Sequence, residues 1–219
     1  MRIRVLALAL ASVATSLVFV AGSSSATTTT TAATTEVTRP GPVSGTVAVA
    51  VSDPNVPAGF LQVKPSNELR VNADRWVVIE NRNAPGKCLE IRGDSLENGA
   101  GANLWTCNGS DTQTWGARHV FNGLYEFGNL NSRKCLEIRG DSTANGAEAN
   151  QWTCNESATQ LWIWYWNSVT NQSIFGNSNS SAPNSRCLEA LSWGTSNGTP
   201  VGQWACHYGD NQAWYVYDV

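Results

Sequence analysis

From Trp76 to the last residue, Val219, apolar and polar positions alternate over short stretches separated by polar, turn-forming clusters. Trp76 to Glu80 reads as a strand, Asn81 to Gly86 as a turn, and Cys88 to Arg92 as a second strand. Asn98-Gly99 marks a tight turn, Asn103 to Cys107 a third strand, and a polar loop then leads into Gln113-Thr114-Trp115. Nowhere in this region do apolar residues recur at the helical period. Many short strands with frequent turns predict an all-β barrel or sandwich.

The same pattern occurs three times. Cys88 and Cys107, Cys135 and Cys154, and Cys187 and Cys206 are each 19 residues apart. Leu-Glu follows each first Cys (Leu89-Glu90, Leu136-Glu137, Leu188-Glu189), and a Trp stands two residues before each second Cys (Trp105, Trp152, Trp204). Eight residues after each second Cys comes the Trp of a Gln-x-Trp: Gln113/Trp115, Gln160/Trp162 and Gln212/Trp214. Cys88–Trp115 and Cys135–Trp162 are identical at 21 of 28 positions. Residues 76–219 therefore divide into repeats at about 76–122, 123–172 and 173–219. Three repeats of four strands suggest a closed barrel with pseudo-threefold symmetry, which also removes open sheet edges.

The chain upstream differs. Arg2 and Arg4 precede an apolar run from Val5 to Val20, and small residues follow at Ser24-Ser25-Ala26. This predicts a signal peptide over 1–26, since the run is shorter than the roughly 20 residues that span a membrane. Export implies an oxidising compartment, a secreted, extracellular protein and no membrane partner. Residues 27–75 read as a low-complexity linker and lead-in. A Thr/Pro-rich, disordered tether runs to about 45, and a loosely ordered stretch at 46–75 carries one strand-like segment, Thr46 to Val51.

Composition narrows the function classes. The chain has ten Trp against five Tyr and five Phe, and all ten lie in the repeats. Charged residues are only 14% and the net charge is −3, which argues against nucleic acid as a partner. Two His argue against a multi-His metal centre, and neither a metal nor a cofactor is expected. The even count of six Cys is compatible with three disulfides.

Strand alternation puts Cys88 and Glu90 on one face and Leu89 and Ile91 on the other, with Asn103, Trp105 and Cys107 sharing a face. A Cys88–Cys107 bond, and its equivalents Cys135–Cys154 and Cys187–Cys206, would gather a carboxylate, an amide and an indole. That set suits a neutral sugar: the polar groups meet fixed hydroxyls and the indole covers the apolar ring face. The Trp of each Gln-x-Trp reads as core. Its Gln has two readings, a sugar ligand or a structural turn bond. Trp76, Trp164, Trp166 and Trp193 have no place in the pattern. Arg92-Gly93-Asp94 and Arg139-Gly140-Asp141 spell a cell-adhesion tripeptide, but one duplication explains both copies.

Three copies of Cys-Leu-Glu … Trp-x-Cys … Gln-x-Trp, with Asn-x-Trp in the first two, resemble the ricin-B-type lectin family. The resemblance covers 76–219 and implies a β-trefoil of twelve short strands and a non-catalytic, monomeric sugar binder, not an enzyme. It implies binding of neutral glycans, either galactose-type sugars or xylan. Carried over by position, the sugar-contacting set is Glu90, Asn103, Trp105 and Gln113 in the first repeat. It is Glu137, Asn150, Trp152 and Gln160 in the second, and Glu189, Trp204, Asn211 and Gln212 in the third. The family usually has Asp at the Glu positions, and Gly202 replaces the Asn in the third repeat. The alternative is a secreted interaction protein, an inhibitor or adhesin, whose sugar sites are inactive.

Overall fold

The computed structural model describes residues 46–50, 55–65, 75–180 and 185–219. The expected signal peptide, the tether and parts of the lead-in lie outside these residues.

Four strands form in each repeat where the alternation places them. The first repeat contains β3 (Arg75–Asn81), β4 (Lys87–Ile91), β5 (Ala102–Thr106) and β6 (Thr114–Phe121). The second contains β7 (Leu124–Asn129), β8 (Cys135–Ile138), β9 (Ala149–Trp152) and β10 (Trp162–Asn167). The third contains β11 (Gln172–Asn177), β12 (Arg186–Ala190), β13 (Val201–Ala205) and β14 (Trp214–Asp218). The outer two strands of each repeat close an antiparallel six-stranded barrel in the order β3-β6-β7-β10-β11-β14 and back to β3. The inner two pair as hairpins, β4 with β5, β8 with β9 and β12 with β13. Short bridges link the hairpins in a ring, Gly101 to Asn150, Asn103 to Pro200 and Glu148 to Gly202.

The Trp of each Gln-x-Trp builds the core. Trp115, Trp162 and Trp214 are all fully buried. Each indole Nε1 donates to the carbonyl of the Leu after the first Cys of its own repeat: Leu89 at 3.0 Å, Leu136 at 3.2 Å and Leu188 at 3.1 Å. One side chain thus fills the barrel and ties hairpin to barrel strand, which satisfies the polar handle of a buried indole. The three disulfides form within repeats, Cys88–Cys107, Cys135–Cys154 and Cys187–Cys206. In the chain-entropy account each closes a loop worth on the order of 3 kcal/mol.

Buried amides join the repeats in a cycle. Asn129 Nδ2 donates to Thr112 O at 2.9 Å, Asn177 Nδ2 to Thr159 O at 2.9 Å, and Asn81 Nδ2 to Asn211 O at 3.0 Å. The Asn-Gly turns add a second cycle. Asn98 Oδ1 accepts from Thr153 N at 3.0 Å, Asn145 Oδ1 from Ala205 N at 2.8 Å, and Asn197 Oδ1 from Thr106 N at 2.8 Å. Asn129→Ala leaves a buried carbonyl unpaired, so a chemical-denaturation curve should show a loss of about 1–3 kcal/mol. A loss below a few tenths would discount the amide cycle as a stabilising feature.

Of the Trp residues outside the repeat pattern, Trp164 and Trp166 are core. Trp164 packs with Tyr125, Phe127 and Phe175 and donates to Ser173 Oγ at 2.9 Å. Trp76 crosses Gly116 on the neighbouring strand, where an added Cβ would stand 3.2 Å from its ring, and the Arg133 guanidinium lies over the ring, 5.5 Å from its centroid.

The lead-in contains more order than a loose stretch. β1 (Thr46–Ala50) and β2 (Phe60–Pro65) pair antiparallel, and β2 continues the sheet by pairing with β10, with Leu61 opposite Trp166. Val63 enters the main core, and Phe60 packs on the ring of Tyr208 in the third repeat. β2 finds its partner in the stretch of β10 beyond the pairing with β7, Tyr165 to Asn167. That stretch lies about a hundred residues away in sequence, beyond the reach of any local pattern.

Candidate functional site

Each hairpin carries the carboxylate and the indole on one face. Glu90 lies opposite Asn103 and Cys88 opposite Trp105 in the β4–β5 register. Glu137 lies opposite Asn150 and Cys135 opposite Trp152 in β8–β9. Glu189 lies opposite Gly202 and Cys187 opposite Trp204 in β12–β13. The three indoles are exposed at 42%, 43% and 43%, so each repeat presents a large apolar group to solvent at the equivalent position. Two of them are bordered by the preceding repeat: the Asn98-Gly99 turn lies against Trp152 and the Asn145-Gly146 turn against Trp204.

The Gln of each Gln-x-Trp is fully buried and completely used by the protein. Gln113 Nε2 donates to Glu90 Oε2 at 3.0 Å and to Thr106 O at 2.9 Å, while its Oε1 accepts from Asn108 N at 2.9 Å. Gln160 repeats this with Glu137 Oε2 at 3.1 Å, Thr153 O at 3.0 Å and Asn155 N at 2.8 Å. Gln212 does so with Glu189 Oε2 at 3.0 Å, Ala205 O at 3.0 Å and His207 N at 2.9 Å. Of the two readings the sequence left open, the geometry fits the structural one: the Gln holds the carboxylate in place and presents no free group. Asn211 is likewise buried, its Nδ2 donating to Ala190 O at 3.3 Å.

Glu90 and Glu137 sit at the bottom of the first two sites. Burial pushes the Glu90 carboxyl above its ordinary value, Asp94 adds to the rise, and Gln113 and Asn103 partly offset it. Burial does the same to Glu137, opposed by Gln160, Asn150 and Arg139 and assisted by Asp141. Asn103 Oδ1 and Asn150 Oδ1 are buried with no hydrogen-bond partner, as is Asn211 Oδ1 in the third repeat, so each of the three repeats holds a buried amide acceptor that lacks a donor.

Residues outside the sequence-derived set complete the rim. Arg92–Asp94 and Arg139–Asp141 form exposed 3₁₀ turns directly after the Glu strands. Asp94 and Asp141 lie close enough to act on Glu90 and Glu137, which makes these tripeptides part of the site wall. Their place in the chain, four residues after the Glu, was visible, but nothing in the pattern tied them to the carboxylate. The third repeat departs most. Leu191–Trp193 replaces the Arg-Gly-Asp turn, and Trp193 stacks on His207 with centroids 5.7 Å apart and planes at 19°.

A closed six-stranded barrel capped by three hairpins, with one carboxylate–indole site per repeat, defines a β-trefoil with repeated surface sites. The ricin-type β-trefoil lectin domain-like family matches residues 67–152 and 117–204, together more than half of the sequence, and the chain belongs to that family. No curated protein matches the chain. Among solved structures, the designed threefold-symmetric protein ThreeFoil is similar over 66% of this chain and 99% of its own, with a TM-score of 0.61 and 24% identity. An exo-β-1,3-galactanase from Clostridium thermocellum is similar over 72% of this chain, with a TM-score of 0.63 and 24% identity, and the chain spans 32% of that enzyme. A ricin B-like lectin from Macrolepiota procera, solved with lactose, is similar over 68% of this chain and 98% of its own, with a TM-score of 0.52 and 18% identity.

Proposed function

We propose that this is a secreted, non-catalytic carbohydrate-binding protein that takes neutral glycans at the first two repeats. One observation carries the reading. In both repeats a buried carboxylate, fixed by a Gln, stands opposite an Asn whose buried amide oxygen lacks a donor, on the hairpin face that carries an exposed indole. A pyranose offers hydroxyl donors on its edge and a C–H face for stacking, so it supplies what each of these groups lacks. Galactose-type sugars and xylan are the ligand classes to try first. The lectin of the Macrolepiota structure, solved with lactose, supports the sugar class by family likeness. The three disulfides support export to an oxidising compartment. Two or more weak sites on one molecule would gain avidity on a polymer.

The test is retention of the purified protein on a glycan array and on insoluble xylan, galactan and chitin, repeated with Trp105→Ala/Trp152→Ala. Wild type is expected to be retained on at least one ligand and the double variant to lose at least tenfold in affinity. No retention on any sugar would favour an inhibitor or adhesin built on the same fold. Unchanged retention in the double variant would move the site elsewhere.

A further inference from the structure

The sequence has five Asn-Gly pairs, the dipeptide in which a side-chain amide lies next to an unhindered backbone nitrogen. Four of these amides are held in place. Asn98 Oδ1 accepts from Thr153 N, Asn145 Oδ1 from Ala205 N and Asn197 Oδ1 from Thr106 N, each in a neighbouring repeat. Asn108 Oδ1 accepts from Ser110 N at 2.9 Å. In the three turns between repeats the glycine N–H is spent on a backbone carbonyl as well: Gly99 on Gln151 O, Gly146 on Gln203 O and Gly198 on Leu104 O, all at 2.8 Å. A carbonyl accepts such a hydrogen bond but is too weak a base to take the proton.

The fifth pair, Asn122-Gly123, differs in both respects. It forms the two-residue turn of the β6–β7 hairpin, where Phe121 lies opposite Leu124. φ is +49° at Asn122 and +78° at Gly123, as a type I′ turn requires. Asn122 is exposed, and among the described residues its side chain has no hydrogen-bond partner. The Gly123 N–H donates to His119 Nε2 at 3.2 Å, within reach of a general base. A bulge allows this: the register slips between His119 and Phe121, which re-aims His119 at the turn. The ring stands edge-on to Tyr125, its partner on β7, with centroids 5.5 Å apart and planes at 70°. An accepting Nε2 puts the ring proton on Nδ1. Although His119 reaches solvent, partial burial of the ring lowers its pKa below the ordinary 6.5, so at neutral pH it is the free base. Burial pushes the Tyr125 phenol up, which leaves it uncharged. On the strand that carries His119, Arg118 is bound to Glu126 and Glu156. β2 brings Lys64, whose Cε would lie 3.3 Å from a Cβ at Gly123.

We propose that Asn122-Gly123 is a self-modification site, at which His119 acts as general base in converting the Asn122 amide to a carboxylate. His119 Nε2 takes the Gly123 amide proton as the Gly123 nitrogen attacks Asn122 Cγ. The new N–Cγ bond closes a five-membered cyclic imide, the Cγ–Nδ2 bond breaks, and His119 returns the proton to Nδ2, which leaves as ammonia. Water then adds to either imide carbonyl and opens the ring to aspartate or its isoaspartyl isomer at position 122. The isomer adds one carbon to the main chain inside a two-residue turn. Either product puts a negative charge beside β2, where Gln62 Nε2 would lie 2.8 Å from a Cβ at Gly123. The modification thus falls where the lead-in docks on the barrel, and aged protein differs from new protein at that contact.

The test is ageing of the full chain at neutral pH, with peptide mass spectrometry to follow amide-to-acid conversion at each of the five Asn and chromatography to separate the isoaspartyl product. Asn122 is expected to convert at least about tenfold faster than any of the other four, a modest share of what a positioned general base can supply. His119→Gln keeps an acceptor for the Gly123 N–H but removes the base, and should bring Asn122 down to the rate of the others. In the wild type, acidification through the His119 range should lower the Asn122 rate relative to the other four, a readout that needs no variant. In urea-denatured chain the preference for Asn122 should vanish. Three results would overturn the proposal: Asn122 converting no faster than the other four, a preference that persists in the denatured chain, or a rate ratio that neither His119→Gln nor acidification changes.

Discussion

Trp115→Ala is expected to unfold the protein or bring it close to unfolding. The indole is fully buried and its Nε1 donates to Leu89 O at 3.0 Å. Removing a buried aromatic ring costs about 3–5 kcal/mol through lost burial and the cavity left behind. The Leu89 carbonyl then loses its partner in the core, for a further ~1–3 kcal/mol. A domain of this kind has about 5–15 kcal/mol in total, so the variant should show a urea midpoint near zero or no cooperative transition at all. Trp105→Ala makes the contrast. Trp105 is 42% exposed and lies outside the buried core cluster, so its urea curve should lie within about 1 kcal/mol of wild type. Two Trp residues ten positions apart would then separate cleanly, one into folding and one into binding. A Trp105 variant as damaged as the Trp115 variant would mean that the exposed indole is part of the core and would weaken its assignment to a ligand.

That separation was largely legible in the sequence. The Gln-x-Trp residues announced themselves as core because they recur in register with the Cys pairs, and the barrel they fill follows from three equal sets of strands. Strand alternation also put Glu90, Asn103 and Trp105 on one face, as the β4–β5 register has them. What the pattern missed depends on contacts outside the repeat. The β1–β2 hairpin pairs with β10 through a register of three residues, Gln62, Leu61 and Phe60, which no local signal fixes. Gln113 lies 23 residues from Glu90, and only their meeting in the fold shows that its donors are spent on the carboxylate and on Thr106. Trp193 and His207 lie at positions where the other repeats have Asp and Asn. A search for sameness among repeats discards such positions, although the change of chemistry is greatest there.

Glu90→Gln/Glu137→Gln is expected to lower sugar affinity without lowering stability, and the direction of the carboxyl shifts explains why. Burial raises both groups above the ordinary carboxylate value of 4.5 in the folded protein, whereas in the unfolded chain they titrate normally. The folded state therefore binds protons more readily in this window. The contribution of these groups to stability is present below the ordinary value and is lost as pH rises through the raised folded value. At neutral pH two buried charges oppose the fold, held in place by Gln113 and Gln160. The neutral isostere removes that opposition and still offers Gln113 Nε2 and Gln160 Nε2 an acceptor, so the melting temperature should hold or rise. Hydrogen bonds to a charged acceptor are worth about 1.5–3 kcal/mol, so affinity at neutral pH should fall about tenfold or more. Acidification of the wild type should reproduce this effect. Affinity should drop with a midpoint above 4.5 while these two groups add to stability, and the double variant should lose that pH dependence. Calorimetric melts and affinity titrations on the same samples give both quantities. A melting temperature that falls in step with affinity, in the variant or on acidification, would show that the carboxylates hold the hairpins together and do not serve a ligand.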